Sequence, residues 1–233
     1  MGIIRAAVFD LDDTLYLERD YVASGFRAVA ANLCLRSPLC ETEIFAWLWN
    51  EFLTGSRGNS FDRLLQRYPQ LSKQVAVPEL ITLYRTHRPS LKLLEGIADL
   101  LDAVVASKAE TGIITDGPTV SQAAKIHALG LHAKIKHLVQ TDEWGVRFRK
   151  PHPRAYEYMA MQAGIPPFEC LYIGDNPEKD FQGPRSLGWK TIRIRVPGQL
   201  HYAVDAKDGC DADIEARSVA DLRDFVLSHL RAN

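Results

Sequence analysis

Short apolar runs alternate with longer amphipathic segments over most of this 233-residue chain. Five of the runs end in a turn or a polar cluster, and they cover residues 3–9, 112–114, 138–139, 171–173 and 191–196. A run that is apolar on both faces is typical of a strand in a parallel sheet covered by helices on each side. The pattern therefore predicts five strands of an open α/β sheet.

Two helices are predicted between these strands, over residues 118–129 and 153–163. Each begins with a proline and is followed by a glycine, at positions 130 and 164. Proline near the start and glycine just past the end are the expected boundaries of a helix. Strands that alternate with helices favour parallel pairing through right-handed crossovers.

Residues 17–91 have a different pattern, because amphipathic helical periodicity dominates and no strand is indicated. The predicted helices cover residues 21–36, 42–53, 61–68 and 78–87. We therefore predict an all-helical domain at 17–91, inserted into an α/β core made of residues 1–16 and 92–233.

Composition excludes several classes of function. Apolar residues make up 46 % of the chain and charged residues 24 %, which is ordinary for a globular protein. A net charge of -1 provides no field for binding nucleic acid or an anionic membrane. We find neither a signal peptide nor an apolar stretch near the ~20 residues of a spanning helix. The four cysteines form no C-x-x-C pair, so we expect free thiols and a cytoplasmic location.

Two acidic residues follow the first predicted strand. Asp10 and Asp12 are two positions apart, so in extended backbone their side chains project to the same side. Ligands of open α/β sheets bind beyond the carboxyl ends of the strands. A calcium-binding EF-hand loop is excluded, because Leu15 and Tyr21 stand where that loop needs glycine and glutamate. A metal site and an acidic cap on the next helix both remain open.

Thr115 ends the second predicted strand, and Asp116 and Gly117 lead from it into a helix. The threonine hydroxyl and the backbone N–H groups after it form a pattern that can hold a phosphate. An ordinary helix cap is the competing interpretation of this segment.

A lysine and two further acids complete the polar set. Lys150 precedes a proline, which keeps it out of a helix, while Asp175 ends another predicted strand and Asp180 follows five residues later. Asp180 could also simply favour the dipole of a helix capped by Asn176. Because parallel strands end at one edge of the sheet, we expect these side chains to meet those of the first two strands. Carboxylates beside a lysine suit Mg²⁺.

The segments "DLDDT", "IITDG", "KP" and "GDNPEKD", in this order, resemble the four motifs of the haloacid dehalogenase superfamily, in its phosphatase branch. The resemblance includes the helical cap domain, which follows the first motif in one subclass of this superfamily. It implies a doubly wound, Rossmann-like parallel sheet, a Mg²⁺ cofactor and an aspartyl-phosphate intermediate.

The resemblance also implies roles for individual acids. Asp10 would be the nucleophile and a metal ligand. Asp12 would protonate the leaving alcohol and then activate the hydrolytic water, while its backbone carbonyl binds the metal. Asp175 would be a further metal ligand, and Asp180 would support Lys150 or a metal-bound water.

The remaining motif positions would bind phosphate or shape the loop. Thr115, with the N–H groups of Asp116 and Gly117, would hold phosphate oxygens. Lys150 would bind phosphate and keep Asp10 ionised. In the first motif Asp13 is expected to be a turn residue, and the Thr14 hydroxyl is expected to fix the loop.

Asp12 decides the class of reaction that we predict. The dehalogenases of the superfamily lack an acid at this position, because a leaving halide needs no proton. The phosphonate-cleaving members use a cap lysine as a Schiff base, but Lys73 is the only candidate well inside the cap and nothing in the sequence marks it as desolvated. We therefore predict a Mg²⁺-dependent phosphatase that acts on a small phosphorylated metabolite. A phosphosugar mutase and a non-catalytic module that binds phosphate or a partner remain alternatives.

Five cap residues are candidates for contacting the organic part of the substrate, because they are aromatic or make directed hydrogen bonds. They are Arg27, Trp47, Trp49, Asn50 and Arg57. Helix packing is the competing interpretation of the two tryptophans. Neither the substrate nor the oligomeric state is predicted from these residues.

Overall fold

The chain forms two compact units in the computed structural model, which describes residues 3–55 and 57–230. One unit comprises Met1–Arg19 and Lys92–Asn233, and the other comprises Asp20–Leu91. The ends of the predicted core segments at residues 1–2 and 231–233 lie outside the described residues. The smaller unit begins at Asp20, three residues after the predicted start of the inserted domain at residue 17.

The larger unit is built on a six-stranded sheet in which every neighbouring pair of strands is parallel. The strand order is β3-β2-β1-β4-β5-β6. The strands are β1 (Ala6–Phe9), β2 (Glu110–Thr115), β3 (His137–Gln140), β4 (Cys170–Gly174), β5 (Lys190–Ile194) and β6 (Ile214–Ala216). The predicted α/β class with a doubly wound parallel sheet is confirmed.

The strand register brings the predicted polar residues to one edge of this sheet. Phe9, the last residue of β1, pairs with Ile113 of β2 and with Ile173 of β4. Each of these three strands therefore leads into its polar residues at the same level. The chain passes from β1 to β2 and β3 on one side and resumes with β4 on the other. Such a switch in strand order is where α/β sheets bind their ligands.

The smaller unit consists of helices, and its described residues contain no strand. The helices are α1 (Glu18–Cys34), which begins two residues before this unit, α2 (Glu41–Leu53), α3 (Ser60–Arg67) and α4 (Val77–Thr86). Phe26 of α1 makes edge contacts with Phe52 and Phe61, and it also packs against Tyr84. These aromatic rings form the interior of the unit.

The helices of the larger unit cover its sheet. They are α5 (Ile97–Ala106), α6 (Thr119–Ala128), α7 (Arg154–Ala163), α8 (Gln182–Ser186) and α9 (Val219–His229). On one face of the sheet, Tyr156 and Met159 of α7 pack with Val8 and Tyr172. No helix in the described part of the chain is long and apolar enough to cross a bilayer.

Three elements of the larger unit are absent from the sequence-based prediction: α5, β6 and α9. Ser218 caps α9 by accepting a hydrogen bond from the N–H of Asp221, and Leu222 and Val226 one turn apart are buried. The capping residue and the apolar spacing were both visible in the sequence. The strand β6 has only three residues, which is too short for a period-2 pattern.

Candidate active site

A buried lysine lies between two aspartates beyond the ends of β1 and β4. The Lys150 Nζ is 2.7 Å from Asp10 Oδ1 and 2.7 Å from Asp180 Oδ1. It also donates to the Tyr172 hydroxyl at 3.0 Å. The side chains of Lys150 and Asp180 are 0 % exposed and that of Asp10 is 2 % exposed. The predicted residues Asp10, Lys150 and Asp180 are thus brought together in a buried ionic cluster.

Asp175 adds a third buried carboxylate. Asp10, Asp175 and Asp180 each offer a carboxylate oxygen, and these oxygens all lie within 4.8 Å of one another. Asp10 Oδ2 and Asp175 Oδ2 are buried and have no hydrogen-bond partner among the described residues. Asp180 differs, because its Oδ1 faces Lys150 and its Oδ2 accepts the N–H of Asn176 at 2.9 Å. Buried oxygens without partners are costly, so a hard cation bound by Asp10 and Asp175 fits this donor set.

The charges of this cluster perturb its pKa values. Burial raises the pKa of the Asp10 carboxyl to about 6, although the charge of Lys150 opposes the rise. Burial, with the carboxylates of Asp180 and Asp10, raises the pKa of Asp175 well above its ordinary value. Burial alone would lower the pKa of Lys150, but its two aspartate partners outweigh it and raise that pKa. The three acids outnumber the two lysines, Lys150 and Lys179, whose charges act on them, so an excess of negative charge remains that a cation would offset.

The Asp12 carboxylate points away from this cluster and toward α6. The Lys125 Nζ is 2.8 Å from Asp12 Oδ1 and 3.0 Å from Oδ2, and Gln122 Nε2 donates to Oδ2 at 2.8 Å. The Tyr16 hydroxyl donates to Oδ1 as well. Burial would raise the pKa of Asp12, but Lys125 and these hydrogen bonds outweigh it and lower that pKa. The predicted coordination of a metal by the Asp12 backbone carbonyl stays a prediction.

The phosphate loop predicted after β2 has several of its groups bound to protein. Thr115 Oγ1 is buried and accepts a hydrogen bond from Gln122 Nε2 at 2.5 Å. Asp116 Oδ1 accepts from the Thr141 hydroxyl at 2.6 Å and from the Lys150 N–H at 3.2 Å. The Asp116 side chain therefore fixes the neighbouring loops.

Gly117 has a protein partner in this loop. Its N–H donates to Asp142 Oδ1 at 3.2 Å, and the expected contact of this N–H with a phosphate stays a prediction. The helix-cap interpretation of Thr115 and Asp116 is wrong, because Pro118 occupies the N-cap position of α6 without a side-chain hydrogen bond.

Asp13 is the capping acid of the first motif. It has a positive φ of 55° and lies in a turn, as expected. Its Oδ1 accepts from the N–H of Glu18, the first residue of α1, at 2.7 Å, and its Oδ2 accepts from the Leu200 N–H at 2.7 Å. The expected loop-fixing role of Thr14 is not found, since its buried Oγ1 has no hydrogen-bond partner in the described part of the chain.

The loop after β4 also differs from the helix-start interpretation. Asn176 Oδ1 accepts from the Glu178 N–H at 2.9 Å, but the residues up to Asp180 form turns and α8 begins only at Gln182. Asp180 therefore lies in a turn and not in the first turn of a helix. A Cβ on Gly174, at the end of β4, would lie 2.7 Å from Asp180 Oδ2, so only glycine leaves room for this carboxylate.

Four residues that were not predicted from the sequence bind the side chains of Asp12 or Lys150. These are Tyr16, Gln122, Lys125 and Tyr172. Gln122 and Lys125 are three positions apart on a predicted helix, a spacing that places them on one face. That spacing was a usable signal, but it does not say what the face contacts.

The five cap candidates lie in or beside the smaller unit's helices, and four of them contact its aromatic rings. Trp49 stacks on Phe45 and Phe52, and Trp47 makes an edge contact with Tyr68. The guanidinium carbons of Arg27 and Arg57 lie 4.7 Å and 4.1 Å from the ring centroids of Phe45 and Phe52. Asn50 is exposed on α2. These contacts favour packing for the two tryptophans, and a role in substrate binding stays a prediction for all five.

Comparison with known proteins finds a matching family model, related sequences and a solved structure of similar fold. A sequence model described as a haloacid dehalogenase-like hydrolase matches residues 4–188. The chain is 28 % identical to the glyceraldehyde 3-phosphate phosphatase of Methanopyrus kandleri, covering 98 % of this chain and 95 % of that protein. It is 24 % identical to the phosphoglycolate phosphatase of Shigella sonnei, covering 94 % and 91 %. The crystal structure of the HAD-hydrolase YfnB of Bacillus subtilis, bound to magnesium, has a similar fold, with a TM-score of 0.68, 20 % identity and coverage of 97 % and 99 %.

Proposed function

The chain belongs to the haloacid dehalogenase-like hydrolase family, and on that premise we propose that it is a Mg²⁺-dependent phosphatase of small phosphorylated metabolites. The family predicted from the four motifs is confirmed by the match over residues 4–188. One observation carries the proposal: the Asp10 carboxylate is ion-paired through Oδ1 to Lys150, while its buried Oδ2 has no partner among the described residues. The ion pair orients the carboxylate for attack through Oδ1, while Oδ2 is open to a metal ion.

Asp10 is the proposed nucleophile. Its carboxylate oxygen attacks the phosphorus, the bond from phosphorus to the ester oxygen breaks, and the electron pair of that bond goes to the leaving alcohol. Lys150 keeps Asp10 ionised and places positive charge beside the transferred phosphoryl group. Asp180 holds the lysine from its other side. Water then attacks the phosphorus of the aspartyl phosphate, which releases inorganic phosphate and restores Asp10.

Asp12 is the proposed carrier of the proton between these steps. It gives a proton to the leaving alkoxide and takes one from the attacking water, so that each step avoids a high-energy ion. The pKa of Asp12 is lowered in the free protein, which keeps the carboxylate ionised. A phosphate dianion that arrives beside it raises that pKa by like-charge repulsion. Substrate binding therefore promotes the protonated form that the first step needs.

Asp10 and Asp175 are the proposed side-chain ligands of Mg²⁺, because each has a buried oxygen without a partner in the described structure. The Asp12 carbonyl is the further ligand that the motif implies. When bound, Mg²⁺ supplies positive charge that offsets the charge of the phosphoryl oxygens. Asp180 supports this site through Lys150, since both of its oxygens have protein partners.

The substrate class rests on the relatives and on Asp12. Relatives that align over almost all of this chain are named for phosphatase activity on glyceraldehyde 3-phosphate and on phosphoglycolate. Both compounds are small alkyl phosphates, whose leaving alkoxides need a proton. The acid at position 12 suits such substrates, whereas a dehalogenase would not need it.

The proposal is tested by assaying p-nitrophenyl phosphate hydrolysis after chelation of metals and again after addition of Mg²⁺. Asp10→Asn should abolish activity, and the surface control Asp102→Asn should retain it. A panel with glyceraldehyde 3-phosphate, phosphoglycolate and sugar phosphates then identifies the preferred ester. Activity unchanged in Asp10→Asn would refute the nucleophile, and inactivity of the wild type on the whole panel would favour a binding module. Phosphate moved between sugar positions without release would indicate a mutase.

A further inference from the structure

Two polar side chains of α6 are buried against the proposed site. Gln122 is 1 % exposed and Lys125 is 5 % exposed, although both residue types are ordinarily at the surface. They are three positions apart, so they lie on the same face of the helix. Burying an amide and an ammonium is unfavourable unless each has hydrogen-bond partners. What these partners are indicates what the two residues do.

Gln122 connects two of the proposed site residues. Its Nε2 donates both to Asp12 Oδ2 at 2.8 Å and to Thr115 Oγ1 at 2.5 Å. Its side chain also lies beside Gly117, where an added Cβ would be 3.6 Å from the Gln122 Cδ. One amide group therefore sets the separation between the proposed proton carrier and the proposed phosphate-binding hydroxyl.

Lys125 holds the same carboxylate from a second direction. Its Nζ is within 3.0 Å of both Asp12 oxygens, and the Tyr16 hydroxyl also donates to Oδ1. Both oxygens of Asp12 thus have partners, in contrast to the open oxygens of Asp10 and Asp175. A carboxylate bound in this way has little freedom to rotate.

We propose that Gln122 and Lys125 are positioning residues that hold the Asp12 carboxyl where the leaving oxygen of the substrate departs. This inference rests on the proposed phosphatase function. Neither residue needs to touch the substrate, because each acts through Asp12. Their loss should therefore impair the proton transfer more than the attack by Asp10.

Two esters separate these effects. An alkyl phosphate releases a strongly basic alkoxide that requires a proton, whereas p-nitrophenyl phosphate releases a stable phenolate that does not. The ratio kcat/KM reports every step up to departure of the alcohol, so it excludes the later hydrolysis of the aspartyl phosphate. A defect in Asp12 positioning should therefore lower kcat/KM for the alkyl ester selectively.

The experiment compares wild type with Gln122→Leu, Lys125→Met and Lys125→Arg, using p-nitrophenyl phosphate and the alkyl phosphate that the wild type hydrolyses fastest. General acid catalysis contributes roughly 10²–10⁴-fold, so we expect Gln122→Leu and Lys125→Met to lose about 10- to 100-fold with the alkyl ester. With the aryl ester we expect a loss below about threefold for Lys125→Met, and for Gln122→Leu, whose amide also binds Thr115, a smaller loss than with the alkyl ester. Lys125→Arg keeps N–H groups that can donate hydrogen bonds to Asp12, so it should retain most of the wild-type activity on the alkyl ester. The surface variant Lys134→Met, which removes a lysine paired with Asp102, is the control.

The outcomes distinguish this inference from the proposed function. Equal losses with both esters, or better activity in Lys125→Met than in Lys125→Arg, would show that the residues only fill space and would overturn the inference. Circular dichroism of each variant identifies those that fail to fold. If Gln122→Leu fails to fold, the comparison of Lys125→Met with Lys125→Arg still tests the inference. If the wild type hydrolyses the aryl ester but not the alkyl ester, it lacks a working proton donor, and this result also overturns the inference. Wild type inactive on both esters refutes the phosphatase function itself.

Discussion

Replacing Lys150 by methionine should destabilise the protein strongly when no metal is bound. Methionine has a similar length and fills the space, but it removes the one positive charge that faces both Asp10 and Asp180 at 2.7 Å. The two carboxylates would then remain buried beside Asp175, with the charge of Lys179 and the N–H of Asn176 as their remaining compensation. Removing one member of a buried ion pair costs about 3–5 kcal/mol, because the remaining charge stays desolvated.

The effect is measured by calorimetric melting in the presence of a chelator. For a chain of this size, 1 kcal/mol corresponds to about 2–4 °C, so we expect Lys150→Met to melt roughly 6–20 °C below wild type. The matched control is Lys134→Met, which removes a lysine 2.6 Å from the mostly exposed Asp102. An exposed pair contributes about 0–1 kcal/mol, so this variant should melt close to wild type.

The same variant should depend on pH in a defined direction. Without Lys150, the pKa of Asp10 rises beyond its value of about 6 in the wild type, and the pKa of Asp180 loses the strongest influence that lowers it. Acids whose pKa is higher in the folded state bind protons on folding, so stability increases as the pH falls. The difference between Lys150→Met and wild type should therefore be smaller at pH 5 than at pH 8. Equal melting temperatures of Lys150→Met and Lys134→Met at pH 8 would refute the buried ionic cluster as a source of stability.

Three further predictions follow from the site. Asp12→Asn should lower the steady-state rate of p-nitrophenyl phosphate hydrolysis about 10²–10⁴-fold. A burst of p-nitrophenol equal to the enzyme concentration should come first, because Asp10 can still be phosphorylated when the base that activates water is missing. A proportionate loss without a burst would contradict this prediction. Gly174→Ala should lower the free energy of unfolding in urea by about 1–3 kcal/mol, because the new Cβ would lie 2.7 Å from Asp180 Oδ2. An unchanged midpoint of the urea unfolding curve would be incompatible with that contact. The affinity for Mg²⁺ in calorimetric titration should fall at least about tenfold per pH unit below pH 6, because the ligands must be ionised. Burial raises the pKa of Asp10 to about 6 and also raises the pKa of Asp175. A pH-independent affinity would argue against these two acids as ligands.

The sequence predicted the edge of the sheet at which the site forms. Apolar runs that end in Asp10, Thr115 and Asp175 are explicit in the sequence, and parallel pairing necessarily brings such ends together. Lys150 was predictable as a partner because a proline follows it and the motif order matches a known family. Local pattern and topology were sufficient for these residues.

The partners of Asp12 were not predictable in the same way. Gln122 and Lys125 are 110 and 113 positions away from it in sequence, and their contacts depend on how α6 packs beside β1. On a helix, a glutamine and a lysine are ordinary surface residues. The capping role of Asp13 was missed for a related reason, since one of its two N–H donors comes from Leu200, far along the chain.

Two core helices were missed although their signals were present. The buried residues Ile97, Leu100, Leu101 and Val104 of α5 follow the spacing of an amphipathic helix. The left-handed Gly96 marks the start of that helix, which is an unusual boundary because glycine more often ends helices.

Direct detection of phosphorylated Asp10 tests whether this residue is the nucleophile. The wild type and Asp12→Asn are mixed with p-nitrophenyl phosphate and Mg²⁺, quenched in acid within one turnover, digested and analysed by mass spectrometry. We predict a phosphorylated peptide whose modification maps to Asp10 and which accumulates to near the enzyme concentration in Asp12→Asn. Release of phosphate by the wild type with no phosphorylated Asp10 in either protein would contradict the assignment of Asp10 as the nucleophile.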